Sequence, residues 1–196
     1  AHFYRSRQRA FKAIANNKRP QYDEDLQITV FTRSKTRLLI NTNALIVRLE
    51  REFRLPVKRV GLEGMSIGQI IQELSKSVVA VGLHGSLLVM AGFMPPGGIL
   101  VEGFPYAVPA GDYQPYREMC HIIGHQYGAW TSPHPNLPHT VGHPDRGKFE
   151  GGLKHLPDEE RRAILEARWI KPHRCCYDAA WLYRIFQDTA VDTDAI

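Results

Sequence analysis

The sequence predicts an α/β fold built around a parallel, Rossmann-like sheet. Three observations carry that expectation. From Leu26 to Glu102, β-patterned runs alternate with helical periods in the order strand, helix, strand, helix, strand, helix, strand. Such an order calls for right-handed crossovers between parallel strands. Ser77-Val78-Val79-Ala80-Val81-Gly82 is a continuous apolar run, the mark of a strand buried on both faces. Pro95-Pro96-Gly97-Gly98 then stops the third helix just ahead of the fourth strand.

The elements follow in order. Residues 1–19 read as a connector helix carrying Phe3, Tyr4, Phe11 and Ile14, and Pro20 to Asp25 as a polar linker. The chain therefore divides into a connector, 1–25, and a sheet domain with C-terminal helices, 26–196. Leu26 to Phe31 alternates like a strand. Asn41 is placed to cap a helix from Thr42 to Phe53, whose Leu45, Ile46, Leu49 and Phe53 share one face. Val57 to Leu62 is the second strand. Ser66 caps a second helix, on which Ile67, Ile70, Ile71 and Leu74 recur at helical spacing. A short helix from Ser86 to Phe93 and a strand from Ile99 to Glu102 complete the pattern. Beyond Phe104, Pro, Gly and His accumulate as far as His155, which predicts long loops with one strand near Gln126 to Trp130. Helices resume at Pro157 to Trp169 and at Ala179 to Phe186. No internal repeat is present.

The 196 residues suffice for one domain with a real core, and 43% hydrophobic with 23% charged residues is an ordinary globular composition. No apolar run is long enough to span a bilayer, and Ala1-His2-Phe3-Tyr4-Arg5 is not a signal peptide. Because the first residue is not Met, the chain is expected to be part of something longer. The net charge of +5 is bunched at the front, in Arg5, Arg7, Arg9, Lys12, Lys18 and Arg19. A nucleic-acid-binding run and a solvated helix face are the two readings. The absence of interleaved aromatic residues favours the second, so no nucleic-acid partner is expected. Cys120, Cys175 and Cys176 make no disulfide framework, and their pairing stays open.

Open parallel sheets bind ligands beyond the carboxyl ends of their strands. Three features fall at that edge. Thr32-Arg33-Ser34-Lys35-Thr36-Arg37 follows strand one, and its donors suit a phosphate; Arg33 and Arg37 can each give bidentate, charge-assisted bonds. A solvated turn fits the same residues. Gly82-Leu83-His84-Gly85-Ser86 follows the most buried strand. There the amides of Gly85, Ser86 and Leu87 open a helix and attract an anion. His84 is either a donor to that anion or a core histidine. Glu102, at the end of strand four, is placed to accept from ribose or sugar hydroxyls, as is Glu63 after strand two; an ordinary exposed strand end is the alternative for both. Neither GxGxxG nor GxxxxGK is present. His121 with His125, and His139 with His143, have a three-residue gap between them, but Gly124, Pro138, Gly142 and Pro144 break the helical context a zinc pair needs. No metal site is expected.

The sequence resembles glycosyltransferase family 61 from about Ile28 to the C-terminus. The resemblance rests on Val30-Phe31-Thr32-Arg33-Ser34, Thr36-Arg37-Leu38-Leu39-Ile40-Asn41, Gly82-Leu83-His84-Gly85, Phe93-Met94-Pro95-Pro96-Gly97 and Val101-Glu102-Gly103-Phe104-Pro105. Gly151-Gly152-Leu153-Lys154-His155-Leu156, Cys175-Cys176 and Arg184-Ile185-Phe186-Gln187-Asp188-Thr189 extend it. It implies the C-terminal, donor-binding lobe of a two-lobed GT-B enzyme. By that resemblance the donor is UDP-N-acetylglucosamine, the acceptor is O-linked mannose on a glycoprotein, the anomeric centre is inverted, and no metal or other cofactor is needed. It also implies the lumenal side of the endoplasmic reticulum, with a membrane anchor only in the full-length parent. Arg33, Ser34, Arg37, His84, Gly85, Ser86 and Glu102 are the donor-site candidates; the general base is not identified, His84 being considered for it and disfavoured. Gly103 departs from the pattern, standing where the family usually has an apolar residue. The acceptor site and general base are expected in the lobe this stretch does not contain. A catalytically inactive binding module is the alternative function, and the oligomeric state is left open.

Overall fold

The computed structural model describes residues 26–111, 114–136, 138–171 and 177–193. The connector helix and linker expected over 1–25, and the Cys175-Cys176 pair, lie outside the described residues.

The mixed α/β fold is centred on a five-stranded, wholly parallel, Rossmann-like sheet in the order β2-β1-β3-β4-β5. Its strands are β1 (Gln27–Phe31), β2 (Val57–Val60), β3 (Ser77–Leu83), β4 (Ile99–Phe104) and β5 (Gln126–Thr131). The apolar run from Ser77 becomes the central strand, as its lack of alternation requires. The fifth strand, legible only as an isolated β pattern, extends the sheet alongside β4, with Glu102 opposite Ala129.

Helices α1 (Thr42–Phe53) and α2 (Ile67–Leu74) are the first two crossovers. Ser66 caps α2 as expected. Its Oγ accepts from Gln69 N at 3.3 Å, and Gln69 Oε1 accepts from Ser66 N at 2.8 Å, so two orphan donors are satisfied reciprocally. Asn41 departs from expectation and makes no side-chain cap. Its amide instead clamps the backbone of Val191, with Nδ2 donating to Val191 O at 2.7 Å and Oδ1 accepting from Val191 N at 2.9 Å. A two-bond match to a passing backbone segment outcompetes one capping bond.

The crossover from Ser86 to Phe93 is wound as a 3-10 helix. The loops expected after Phe104 contain a helix the sequence reading missed, α3 (Pro115–Ile123), with proline in its first turn and Gly124 closing it in the left-handed conformation. Two further helices follow, α4 (Asp158–Glu166) and α5 (Ala179–Ile185). Arg184 ties them together. Only 3% exposed, it donates through Nη2 to the carbonyls of Ile164, Leu165 and Ala167, groups that the end of α4 leaves without helical partners.

Three apolar clusters hold the layers. One, with Ile70, Leu74, Leu88 and Leu100, fills the space between the sheet and α2, α3 and the 3-10 helix. A second, with Ile28, Leu45, Leu49 and Val81, lies under α1. The third, with Phe104, Val108, Trp181 and Ile185, seats α5 beyond the end of β4. A two-stranded ladder, β6 (Thr140–Val141) with β7 (Asp188–Thr189), completes the fold. Through it the C-terminal segment returns to the loop after β1. Ile40 N donates to Thr189 O at 3.0 Å, and Thr189 N to Leu38 O at 2.8 Å.

Candidate functional site

The strand order turns around between β1 and β3, whose onward connections run to opposite sides. In open α/β sheets this is where a crevice opens beyond the carboxyl ends of the strands. The loop Thr32–Leu38 leaves β1 there, and the turn His84-Gly85 leaves β3 beside it.

The two segments meet at Gly85. Its φ is +155°, and a Cβ built there would lie 2.5 Å from Arg33 Nη2 and 2.8 Å from Arg37 Nη1. The bare glycine lets both guanidinium groups lie against the backbone, and a side chain there would push them away. Arg37 Nη1 also donates to His84 O at 3.2 Å, and its guanidinium lies 4.6 Å from the centroid of the Phe186 ring. Arg37 Nε is buried without a hydrogen-bond partner. Burial first, and the Arg33 charge second, lower the Arg37 pKa to about 10. Burial also lowers that of Arg33, against the opposing pull of Glu63 and Tyr116. Two desolvated cations thus share one backbone position. That arrangement is costly when empty and is relieved by an anion.

The loop is fixed from outside. Arg37 itself has a φ of 56°, an uncommon conformation for a side-chain-bearing residue. Next to it, Leu38 N donates to Asp188 Oδ1 at 2.7 Å, and Asp188 Oδ2 bonds His143 Nε2 at 2.7 Å. Arg146 Nη2 donates to Lys35 O at 3.1 Å. The C-terminal motif holds the loop in its strained geometry.

Beneath the turn lies a buried polar network. His84 is 7% exposed; its ring stacks on Phe104 at 5.2 Å and faces Tyr116 and Trp181 at 5.8 and 6.4 Å. Its Nδ1 lies 2.5 Å from Glu102 Oε1, and Tyr127 donates its hydroxyl to Glu102 Oε2 at 2.5 Å. Burial, then the bond to Glu102, raises the Tyr127 pKa strongly, so the phenol stays a donor. Burial and the same carboxylate push the Cys120 thiol up to about 11.

Of the residues singled out in sequence, Arg33, Arg37, His84 and Gly85 come together at one sheet edge. Ser34 and Ser86 are exposed, on the loop and at the first turn of the 3-10 helix. That helix makes its first bond from Leu88 N to Gly85 O, so the amides of Ser86 and Leu87 have no helical partner. Glu102 differs from expectation. It is wholly buried, and both of its oxygens are engaged inside the protein, because its position on the pleat turns it under β5 rather than towards the crevice. Glu63 is exposed and faces Arg33. The paired histidines are separated: His121 is exposed while His125 is buried, and His143 is engaged by Asp188 while His139 packs on His134. Sequence reasoning assigned no role to Tyr116, Tyr127, Phe186 or Asp188. The last two were quoted as part of a motif, Tyr127 lay on the strand expected at Gln126 to Trp130 with no partner foreseen, and Tyr116 was an aromatic in an unassigned stretch.

The family model described as Glycosyltransferase 61 matches residues 1–101, beginning upstream of Ile28 and ending within β4. Proteins named "Protein O-linked-mannose beta-1,4-N-acetylglucosaminyltransferase 2" are similar over most of the chain. The protein from Tetraodon nigroviridis is 40% identical over 171 residues, covering 86% of this chain and 29% of its own length. That from Takifugu rubripes is 39% identical over 178 residues, covering 90% and 30%, and the human one is 37% identical over 171, covering 86% and 29%. The chain spans under a third of the length of these curated relatives. With the motifs at both strand ends falling inside or directly beside the matched region, the chain belongs to the glycosyltransferase 61 family.

Proposed function

We propose that this chain is the donor-binding lobe of a GT-B glycosyltransferase. In this reading it holds UDP-N-acetylglucosamine for inverting transfer to O-linked mannose on a glycoprotein, in the lumen of the endoplasmic reticulum and without a divalent metal. The observation that carries the proposal is the convergence of Arg33 and Arg37 on Gly85 at the turn-around of the sheet. A diphosphate is the ligand that two guanidinium groups and a helix amino terminus suit best. The buried, unpartnered Arg37 Nε and the depressed pKa of Arg37 point the same way. The sugar and the acceptor come from the names of the relatives, 35–40% identical to this chain.

In the transfer, the acceptor hydroxyl attacks the anomeric carbon in line and gives its proton to a general base. The bond to the leaving oxygen breaks with its electron pair, and negative charge grows on the β-phosphate. Arg33, Arg37 and the amides of Ser86 and Leu87 are fixed in place before that charge develops, which is the condition under which such donors accelerate a reaction. They supply what a divalent metal supplies elsewhere. His84, shut between aromatic rings, serves in this reading as an anchor for the turn, and is not the base.

The test is calorimetry of UDP binding to the intact protein in EDTA. Arg37→Ala is expected to weaken binding about 10- to 100-fold, the range for hydrogen bonds to charged groups, and to slow transfer by about 10²- to 10³-fold. Equal UDP affinities in the two proteins would sink the assignment. A panel of UDP-sugars in the transfer assay identifies the donor.

A further inference from the structure

We infer that Glu102 and Tyr127 are positioning residues for the donor grip, acting through His84 on Arg37. The inference rests on the diphosphate reading above.

His84 makes two connections in opposite directions. Its side chain reaches down to Glu102, and its carbonyl accepts from the Arg37 guanidinium. Glu102 is fully buried on the central part of the sheet, in register with Gly82 on one side and Ala129 on the other. A carboxylate so placed costs several kcal/mol unless both oxygens are satisfied, and it therefore demands donors in fixed directions. Tyr127 supplies one from β5. His84 supplies the other contact through Nδ1, which sets the plane of the ring. Phe104 stacks on that ring and forbids rotation about it.

With the ring fixed, the backbone of His84-Gly85 is fixed. The His84 carbonyl then presents its oxygen to Arg37 Nη1, and the bare face of Gly85 receives both guanidinium groups. Glu102 from β4 bonds the ring at Nδ1, and the Tyr116 ring from α3 lies beside it at 5.8 Å, while the Arg37 guanidinium meets the His84 carbonyl. A chain of three residues from three elements thus sets the direction of a cation that none of them but His84 touches.

The test is a double-mutant cycle on UDP affinity, with melting temperature followed in parallel. Tyr127→Phe removes one hydroxyl from a half-buried ring. Glu102→Gln keeps the shape but puts an NH2 against one of two donors. Each is expected to weaken UDP binding about three- to tenfold, the worth of one hydrogen bond. Each is also expected to add little to the loss already caused by Arg37→Ala, because the route to Arg37 is then gone. Losses that simply add, or affinities unchanged while the melting temperature falls, overturn the inference and leave the network a packing feature. Should Glu102→Gln not fold, Tyr127→Phe decides alone. Unchanged affinity in Arg37→Ala is a separate result, which removes the donor reading itself.

Discussion

Two histidine–carboxylate pairs bracket the basic loop, and they are built differently. His84 with Glu102 sits under the site, with side chains 8% and 0% exposed. His143 with Asp188 sits beside it, at 26% and 7%. In each pair the carboxylate takes a second donor, Tyr127 O–H for Glu102 and Leu38 N–H for Asp188. The buried pair lies inside the sheet edge, with both Glu102 oxygens engaged by side chains. The outer pair has one partner in solvent and one on the backbone. The difference teaches where strain and order come from: the inner pair orients a turn from below, while the outer one pins a loop from the side.

Substitutions separate the two roles. The largest effect is expected from Glu102→Ala. It strands the ring of His84 and the hydroxyl of Tyr127 in a dry interior and should cost about 3–5 kcal/mol in a urea unfolding curve. A loss under about 1 kcal/mol would mean that water reaches the inner pair after all.

The next effect is a pH dependence set by a thiol beside the inner pair. Cys120, buried beside Glu102, has its thiol raised to about 11 from an ordinary value of 9.0. Above pH 9 the unfolded chain gives up this proton while the folded one keeps it. Its contribution is therefore complete below pH 9 and is lost as pH climbs to about 11, a decline on the order of 2–3 kcal/mol. Tyr127, also raised, adds to the decline at the upper end. Cys120→Ala should flatten the curve over that window, and an identical decline in the variant would remove the thiol from the account.

The smallest effect belongs to the outer pair. His143→Ala leaves Asp188 with Leu38 N and removes one hydrogen bond from a partly buried pair. It should cost about 0.5–1.5 kcal/mol in stability. A much larger loss would show that the outer pair is as closed as the inner one.

How much of this was legible in the sequence depends on distance along the chain. The limits of α1, the cap of α2 and the central place of β3 follow from short-range signals: periodicity, Ser66 with Gln69, and an unbroken apolar run. Arg33, Arg37 and Gly85 were legible because strand ends can be located from the pattern, and the rule of the sheet edge does the rest. Glu102 was placed at the right edge with the wrong outlook. A period of two gives its face but not the tyrosine waiting on a neighbouring strand. Asn41 was read as a cap because its local chemistry permits one, and nothing nearby announces Val191. Helix α3 was hidden by the prolines, glycines and histidines that crowd around it, although Gly124 was a stop signal rather than an interruption.

The clamp between Asn41 and Val191 joins residues separated by 150 positions. Its consequence is one of timing. A chain leaving the ribosome can form β1, β3 and the crossovers between them long before Val191 emerges, because local and near-local contacts close first. The basic loop, whose shape is borrowed from β7, waits until that distant segment arrives. A half-made molecule would have a finished sheet and an unshaped basic loop. The loop therefore takes its shape in one late step, when the segment around Val191 lies down beside the residues that follow β1.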